Sequence, residues 1–333
     1  MHKISIKDVA KKANVSITAV SQILNNKGDR FSAETIKKVL QARDELGYVP
    51  NSAARNLKVR HSRLIGIIVP SFRMPFFADI IQSMQDNAPE DVNLVFIGST
   101  ADNLQSSIYS LVERGVQALI FGRPIPNRDV VNAFLKKRHI PYLVLDQNAD
   151  INAQDMVQTN EFTGGSLAAS HLLSLGHRDI ALILPNDLTD NMRQRRAGFL
   201  DTLSAANVTP ISVISAALSK HGGLAVVHQL IQSQATAAFI LNDEMAIGVL
   251  RGLTWQNVKV PEDISIVGYD DTDYAEFVVP SLTTIAQPVA EIGQSALNMI
   301  LQRLAHPNLP YQTAFFDVKL VIRESTAQLS TDQ

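Results

Sequence analysis

The sequence predicts an all-α head followed by an α/β core made of two doubly wound parallel-sheet subdomains. Residues 4–46 show helical periodicity punctuated by N-cap residues, whereas from residue 64 short apolar runs alternate with helical stretches. Apolar runs of this kind are typical of parallel strands that are covered on both faces. At 333 residues the chain is also too long for one ordinary hydrophobic core, so several domains are expected.

The first stretch, residues 4–24, predicts two short helices joined by a tight turn. Ser5 and Asp8 have the spacing of a capping box, and apolar residues then follow at i, i+3, i+4 and i+7. Ser16 is placed to cap the second helix. Two amphipathic helices could simply form a helical hairpin, which is the alternative to a helix-turn-helix.

The second helix has a distinct outer face near its start. Its buried side is expected to contain Val20, Ile23 and Leu24, which leaves Ile17, Thr18, Ser21 and Gln22 on the outer face near its start. A recognition helix needs one face packed on the other helices and an exposed, polar face at its N-terminal end that can contact DNA. The layout therefore favours contact with base edges.

A third helix is predicted between Ser32, a candidate N-cap, and Gly47, a candidate C-terminal stop. The three helices would share a small core, whose expected members are Val9, Val20, Ile23, Val39, Leu40 and Leu46. A core of this size is marginal by itself. The head is therefore expected to depend on a partner or on DNA.

Residues 48–60 predict a short helix that forms only when something packs on it. Pro50 allows a helix to begin after it, and two turns are too few for stability in water. A small apolar side with a protruding Leu57, flanked by basic residues such as Arg55, suits insertion into a minor groove. An ordinary interdomain linker is the alternative.

Charge is distributed unevenly along the chain. Residues 1–60 contain 12 Lys and Arg against 5 Asp and Glu, a net charge of +7, whereas the remaining residues carry a net charge of −9. A basic arm on an acidic body indicates a polyanion-binding module, unless it is only a solvated helix face. The chain has no cysteine, and its N-terminus has no apolar signal segment, so a cytoplasmic location is expected. No membrane partner is expected either, since the apolar run at 64–70 is far shorter than the roughly 20 residues of a membrane helix.

Strands are predicted at 64–69, 92–98, 117–122, 141–146, 180–185, 213–218, 237–241 and 264–270. In open parallel sheets, ligands bind beyond the carboxyl ends of the strands. Polar residues gather at three such ends, namely Asp146, Asn242 with Asp243, and Asp270 with Asp271. Each alone could be a helix cap or loop residue, but the clusters together favour a site. The tail from 322 to 333 is expected to be frayed.

Several motifs together resemble the lactose-repressor (LacI/GalR) family of bacterial sugar-responsive regulators. They are IKDVAKKANVSITAVSQILN, ETIKKVLQARDELGYVPNSAARNLK, LIGIIVP with MPFF, and GYDDTDYAEFVVPSLTTIAQP. The resemblance implies a core of periplasmic-binding-protein-like architecture, a homodimer and a roughly palindromic double-stranded DNA operator. It also implies domain bounds: a helix-turn-helix at 1–47, a hinge helix at 48–60 and a core at 61–333. The core would comprise an N-subdomain of about 61–160 and 289–320 and a C-subdomain of about 161–288 and 321–333.

The resemblance also implies DNA-contacting positions. In the head they are Ser16, Ile17, Thr18, Ser21 and Gln22, and in the hinge they are Asn51, Ala54, Arg55 and Leu57. The usual TVSR pattern is replaced by AVSQ here, so the position that commonly carries Arg carries Gln22. Because Gln pairs with adenine and Arg with guanine, an unusual operator base is expected there.

The effector positions implied by the resemblance are Phe76, Asp146, Arg195, Asn242, Asp270 and Gln287. These types suit a sugar, because an aromatic ring stacks on the ring face and charged or amide groups bond hydroxyls. Met74 stands where the family usually has Asn, and Leu218 stands near the expected place of an aromatic residue. A small sugar or sugar phosphate is expected, and a furanose or pentose is plausible from similarity to ribose-type repressors.

Taken together, the sequence predicts a transcriptional regulator, most simply a repressor of a sugar-utilisation operon, without catalytic residues, metal or cofactor. The alternatives are a free sugar-binding protein without regulatory output, or a regulator for which the sugar is a co-repressor. An enzyme using the strand-end carboxylates is a further alternative, although no G-x-S-x-G, H-E-x-x-H, P-loop or G-x-G-x-x-G pattern is present. A protein co-regulator on the core surface is also open.

Overall fold

The computed structural model describes residues 4–24, 30–48, 63–145 and 154–329. The chain forms two compact units, residues 1–62 and residues 63–333, which are described separately below. The predicted hinge residues Asn51, Ala54, Arg55 and Leu57, and the predicted effector residue Asp146, lie outside the described residues.

The head contains three helices, α1 (Ile6–Ala13), α2 (Ile17–Ile23) and α3 (Ala33–Leu46). The Asp8 carboxylate accepts hydrogen bonds from the Ser5 backbone N and Oγ, both at 2.7 Å. The Ser16 Oγ accepts from the Ala19 N at 3.1 Å, and Gly47 ends α3 with φ = 60°. The predicted helix-turn-helix is therefore confirmed, with polar side chains satisfying the orphan N–H groups.

The core of the head differs from the prediction at one position. Val9, Val20, Ile23 and Val39 are buried and Leu46 is partly buried, as expected, but Leu40 lies outside this core. Leu40 instead shares a shallow outer surface of α3 with Ile36 and Lys37. Ala42 is buried, three residues after Val39, because a helix returns to the same face after three or four residues.

The first half of the core begins with β1 (Arg63–Val69), α4 (Pro75–Asp86), β2 (Val92–Gly98), α5 (Leu104–Glu113), β3 (Ala118–Phe121), α6 (Arg128–Lys136), β4 (Tyr142–Leu145) and β5 (Asp155–Thr159). The chain continues with α7 (Glu161–Ser174), β6 (Ile180–Pro185), α8 (Asp190–Ala205), β7 (Ser212–Ala216), α9 (Lys220–Ala225), α10 (Val227–Gln232), β8 (Ala237–Ile240), α11 (Asp243–Trp255), β9 (Ser265–Asp270) and α12 (Asp273–Phe277). It ends with β10 (Thr283–Ala286), α13 (Val289–Ala305), β11 (Thr313–Phe316) and β12 (Lys319–Val321).

These strands form two six-stranded sheets. The first has the order β11-β5-β4-β3-β1-β2 with all neighbours parallel, and the second has the order β12-β10-β9-β8-β6-β7 with only β12 antiparallel. Each sheet has a hydrophobic cluster on both faces. The predicted α/β class with two parallel-sheet subdomains is thus confirmed, and the eight predicted strands all occur.

The chain passes between the two sheets three times. It leaves the first sheet after Thr159, returns after Ala286, and leaves again between Phe316 and Lys319. The predicted division at 160, 288 and 320 lies close to these crossings, although β12 starts one residue before the boundary proposed at 320. We call each sheet with the helices that pack on it a lobe, the first lobe containing β1 and the second β6. Three chain segments that cross between the lobes are suited to a hinge.

The prediction of a frayed tail is wrong for residues 322–329. Ser325 is fully buried, and its backbone N and O bond the Ser281 O and the Ile266 N at 2.9 and 2.8 Å. The Leu329 N bonds the Leu175 O at 2.8 Å. The tail has no regular apolar pattern because it is held by backbone and hydroxyl hydrogen bonds, which leave no periodicity in the sequence.

In the part of the chain that the structure describes, no helix is long and apolar enough to span a bilayer. Over the same residues, no group of three or more His, Asp or Glu side chains is arranged to hold a metal ion.

Candidate functional site

A cavity of about 290 Å³ lies between the two lobes of the core. The carboxyl ends of strands from both sheets meet there, as the general rule for open parallel sheets requires. Its first-lobe wall is largely apolar, with Met74, Phe76, Phe77, Pro124 and Leu145. Its second-lobe wall is largely polar, with Thr189, Asn191, Arg195, Asn242, Asp270 and Gln287. Five of the six predicted effector residues therefore line one cavity.

Arg195 is the buried cation of the polar wall. Its Nε lies 2.8 Å from Glu161 Oε2 and its Nη2 lies 3.2 Å from Glu161 Oε1. Its Nη1 donates to the Leu241 carbonyl, and its Cζ lies 3.3 Å from the centroid of the Tyr269 ring. Burial lowers the pKa of Arg195, but the charge and hydrogen bond of Glu161 together with Tyr269 and Asp270 outweigh burial, so the pKa is raised overall. The guanidinium is thus a permanently charged group with fixed orientation.

The position of Arg195 follows from close packing of α7 against α8. A Cβ at Gly165 would lie 1.9 Å from the Arg195 carbonyl O, and a Cβ at Gly198 would lie 1.8 Å from the Phe162 carbonyl O. Only glycine permits such approach of two helix backbones. Because Glu161 opens α7 and Arg195 lies on α8, this crossing brings the two charges together.

Asp270 lies at the end of β9 and faces the cavity. Its Oδ1 accepts from the Gln287 Nε2 at 2.8 Å and lies 3.7 Å from the Arg195 Nη1. Burial raises the pKa of Asp270 well above its ordinary value, although the charge of Arg195 lowers it. The carboxyl group therefore gains from a ligand that supplies hydrogen-bond donors, such as hydroxyl groups.

Asn242 combines a structural and a recognition role. Its Oδ1 accepts from the Met245 N at 3.0 Å and so caps α11. Its side chain is buried yet borders the cavity, with the amide nitrogen as its donor group. The helix cap fixes the amide in one orientation.

The apolar wall is formed by aromatic and thioether side chains. Phe76 and Phe77 make an edge-to-face pair with centroids 5.2 Å apart and an interplanar angle of 76°. Met74 and Leu218 also line the cavity, at the two places where the sequence departs from the family pattern. A ligand with one apolar face and several hydroxyl groups matches this division between walls.

The head carries the second candidate surface. At the start of α2, Ile17 is 45% exposed and Thr18 is exposed, whereas Ser21 and Gln22 are partly buried. Ser16 is exposed and caps the helix. Ser16, Ile17 and Thr18 therefore form an exposed N-terminal end of α2, where a recognition helix meets base edges, and Ser21 and Gln22 follow one turn later in the same helix.

Comparison with known proteins gives the family. Residues 5–51 match the model for bacterial regulatory proteins of the lacI family, and residues 169–326 match the model for a periplasmic binding protein-like domain. The ribose operon repressor of Haemophilus influenzae is 33% identical to this chain over 98% of it and 99% of the relative. The chain belongs to the LacI family of bacterial regulatory proteins.

Two solved structures extend the comparison. A LacI family transcriptional regulator from Enterococcus faecium with bound ribose is 35% identical to this chain. The match covers 80% of this chain and 100% of the chain in that structure, with a TM-score of 0.77. The lac repressor dimer bound to operator and the anti-inducer ONPF is 29% identical to this chain. The match covers 98% of this chain and 100% of the chain in that structure, with a TM-score of 0.78.

Several site residues of this LacI-family protein were not predicted from the sequence, namely Thr189 and Asn191 on the polar wall and Glu161 behind it. Glu161 is buried, orients Arg195 and accepts from the Thr159 Oγ1 at 2.8 Å. It follows β5, which the sequence analysis did not predict, so it was not recognised as a strand-end acid. A polar run ending in Asn160 and Glu161, just before the glycine pair of α7, was the available signal.

Proposed function

We propose that this protein is a transcriptional repressor that binds a roughly palindromic operator as a homodimer. A small neutral sugar in the core cavity changes its operator affinity. The single observation that supports this most is that one chain combines a helix-turn-helix head with a cavity that has one polar and one apolar wall. A free sugar-binding protein would not need the head, and the relative from Haemophilus influenzae is named as an operon repressor.

The DNA-binding part of the proposal rests on the head. The exposed N-terminal end of α2 would enter the major groove, with Ile17 and Thr18 in front. The excess of basic residues in the first 60 positions would neutralise phosphates. The predicted hinge contacts at Asn51, Ala54, Arg55 and Leu57 belong to the same proposal. Operator DNA would place the protein in the cytoplasm.

The effector part rests on the charges that line the cavity. Arg195 already bonds Glu161 through two nitrogens and the Leu241 carbonyl through the third. Its charge is therefore balanced before any ligand enters, which disfavours a phosphate group as its partner. The other arginine of the lining, Arg123, donates to the Pro124 and Ser99 carbonyls. The cavity, at about 290 Å³, lies at the lower end of the size range of ligand sites. A neutral pentose fits both facts, and ribose is the ligand bound in the Enterococcus faecium structure.

Coupling would follow from closure of the cavity. A sugar that contacts both lobes binds the closed state of the core more tightly than the open state. It shifts the open–closed equilibrium by the difference between these two binding free energies. Allosteric coupling of about 1–3 kcal/mol is typical and changes DNA affinity roughly 5–150-fold. The three chain crossings between the sheets would transmit the lobe movement to the segment that leads into the head.

The dimer part rests on an apolar surface of the second lobe. Phe277 is 75% exposed and Val279 is 88% exposed, beside a groove of about 540 Å³ that Ile247, Val278 and Val279 line together with residues of α9 and α11. Contiguous exposed apolar surface of this kind marks an interaction site. We assign it to a second copy of the chain, because a two-fold operator needs two heads and a solved relative is a dimer on operator.

The experiment is selection of operator sequences by the full-length protein from random duplexes, followed by titration of the selected site with and without D-ribose. Enrichment of a two-fold symmetric site whose affinity changes with ribose supports the proposal. Enrichment without a sugar effect would support DNA binding alone. Ribose binding without any site preference would favour the free sugar-binding alternative.

A further inference from the structure

The turn that carries Asp270 has an unusual backbone. Asp270 and the next residue, Asp271, have φ values of 117° and 57°, in the left-handed region, and neither is glycine. Asp adopts a φ near 57° more readily than most residues, but a φ of 117° is rare outside glycine and persists only where the surrounding structure holds it. The Asp270 carboxylate faces the cavity, so whatever holds this turn also sets the position of that carboxylate.

Two anchors come from inside the second lobe. The buried Asp243 carboxylate accepts from the Thr272 N at 2.9 Å and the Thr284 Oγ1 at 2.7 Å, which fixes the residue after the turn. The Gln287 Nε2 holds the Asp270 Oδ1 directly at 2.8 Å.

The third anchor comes from the C-terminal tail. Arg323 Nη1 forms an ion pair with Asp271 Oδ1 at 2.7 Å and donates its hydrogen bond to the Leu282 carbonyl at 2.9 Å. The buried Asp271 Oδ1 accepts no hydrogen bond from the described residues, so the charge of Arg323 is what compensates it. Both side chains of the ion pair are mostly covered, with 17% of Arg323 and 22% of Asp271 exposed. Partial burial makes the pair less sensitive to solvent than an exposed pair, so it can restrain the turn.

The tail segment that carries Arg323 is itself fixed to the sheet. The Arg323 N donates to the Thr283 Oγ1 at 2.9 Å. Two residues later, Ser325 Oγ donates to the Ile266 carbonyl at 2.6 Å and accepts from the Thr283 N at 2.8 Å. Hydrogen bonds to β9 and β10 therefore fix the backbone of Arg323 and place its side chain next to Asp271.

The tail follows directly after β12, the strand that completes the third crossing between the lobes. Four residues before Arg323, β12 starts at Lys319, only three residues after β11 ends in the other sheet. A movement of the lobes must pass through this short connection. The tail thus links the inter-lobe crossing to the turn that presents Asp270.

We propose that Arg323 is a positioning residue for Asp270, so that the C-terminal tail sets the affinity of the effector cavity. The proposal rests on the proposed function, since it concerns recognition of the same sugar. Arg323 is not among the residues that line the cavity. It holds the Asp271 carboxylate, and through the strained turn it keeps the neighbouring Asp270 carboxylate aimed at the hydroxyl groups.

The test uses full-length Arg323→Gln, with Glu324→Gln as the matched control. Glu324 is the next residue in the tail, and its carboxylate accepts from the Ser281 N and Oγ at 2.9 Å without contacting Asp271. D-ribose affinity is measured by calorimetry. We expect Arg323→Gln to weaken ribose binding at least tenfold, and Glu324→Gln to change it less than twofold. Equal losses in both variants would overturn the proposal in favour of a merely structural tail.

A second readout does not depend on the sugar. Amide hydrogen exchange of a peptide spanning residues 269–274 should be faster in Arg323→Gln than in the wild type and in Glu324→Gln. Unchanged exchange would overturn the proposal, and so would faster exchange with unchanged ribose affinity. If the wild type binds no ribose, the proposed pentose effector fails, while the exchange measurement still decides whether Arg323 holds the turn.

The Asp271→Asn variant and the double variant complete the test. If Arg323 acts through Asp271, adding Arg323→Gln to Asp271→Asn should cause less than a twofold further loss of ribose affinity. A fully additive loss would contradict the proposed route. Arg323→Lys, which keeps the charge, should recover part of the affinity lost in Arg323→Gln.

Discussion

The guanidinium of Arg195 and the carboxylate of Glu161 form a bidentate ion pair that solvent hardly reaches, with Nε–Oε2 and Nη2–Oε1 distances of 2.8 and 3.2 Å. The two residues are 34 positions apart and meet because α7 and α8 cross at glycine contacts. The pair turns a flexible side chain into a fixed donor beside Asp270. Fixed donors of this kind are what a selective polar wall requires.

Glu161→Gln should weaken sugar binding without affecting DNA binding by the sugar-free protein. The amide keeps the shape but loses one charged acceptor, so Arg195 becomes less well oriented. Hydrogen bonds to charged groups contribute about 1.5–3 kcal/mol, which corresponds to a loss of roughly 10–150-fold in ribose affinity. Calorimetry with D-ribose measures the loss. Glu244→Gln, which breaks the Lys220–Glu244 pair away from the cavity, is the control. Equal affinity of wild type and Glu161→Gln would remove this pair from effector recognition.

Gln22→Ala should relax base preference at one operator position. An amide side chain pairs with adenine through two hydrogen bonds, and losing them costs about 1–3 kcal/mol of discrimination at that base pair. Selection of binding sites from random duplexes, compared between wild type and variant, measures the preference. Lys38→Ala, an exposed change on α3, serves as the control. A uniform loss of affinity across all sequences would show that Gln22 does not read a base.

Asp243→Asn should flatten the pH dependence of core stability. Burial raises the pKa of Asp243 to about 7, although hydrogen bonds from Thr284 and Thr272 lower it, and its ordinary value is 3.8. At pH values between 3.8 and about 7, the Asp243 carboxyl keeps a proton in the folded chain and releases it in the unfolded chain. The free energy of unfolding therefore falls as pH rises through this window, by up to about 1.4 kcal/mol per pH unit.

Denaturant unfolding at pH 5, 6 and 7 tests this prediction. Asn cannot titrate, so the stability of the wild type relative to Asp243→Asn should fall steadily from pH 5 to pH 7. Asp263→Asn, a change at an exposed carboxylate, should keep the wild-type slope. Parallel curves for wild type and Asp243→Asn would contradict the assignment of this titration to Asp243.

Val279→Asp should convert the protein to a monomer. The valine is 88% exposed on the apolar surface assigned to the second copy, and a buried carboxylate there would be strongly unfavourable. Sedimentation velocity at micromolar concentration measures the change, and operator affinity should fall because two heads no longer bind together. Val130→Asp, at a 59% exposed position on the other lobe, should remain dimeric. A dimeric Val279→Asp would place the interface elsewhere.

Much of the fold could be predicted because local signals and tertiary packing agree. Ser16, Ser32 and Gly47 do in the structure what their positions predict. The central strands, such as β1 and β6, are apolar throughout, because both of their faces are covered. Four strands were missed, namely β5, β10, β11 and β12, of which β11 and β12 lie at sheet edges. Each has only three to five residues, and half or more of the residues of β5 and β10 are polar.

The candidate site could be predicted only in part. Asn242 and Asp270 follow predicted strands, so the topological rule for parallel sheets places them in one cavity. Glu161 and Arg323 could not be identified in this way, because each acts on a residue that only the tertiary fold brings near. The irregular tail illustrates the same limit, since hydroxyl and backbone hydrogen bonds leave no periodic pattern.

The most direct test of the central claim is fluorescence anisotropy of a labelled selected operator titrated with the full-length protein, with and without saturating D-ribose. We expect salt-dependent binding to the two-fold site that is at least tenfold tighter than to random duplex, and a ribose-induced change in operator affinity of at least fivefold. Equal affinity for the selected and random duplexes, or ribose binding that leaves operator affinity unchanged, would contradict this prediction.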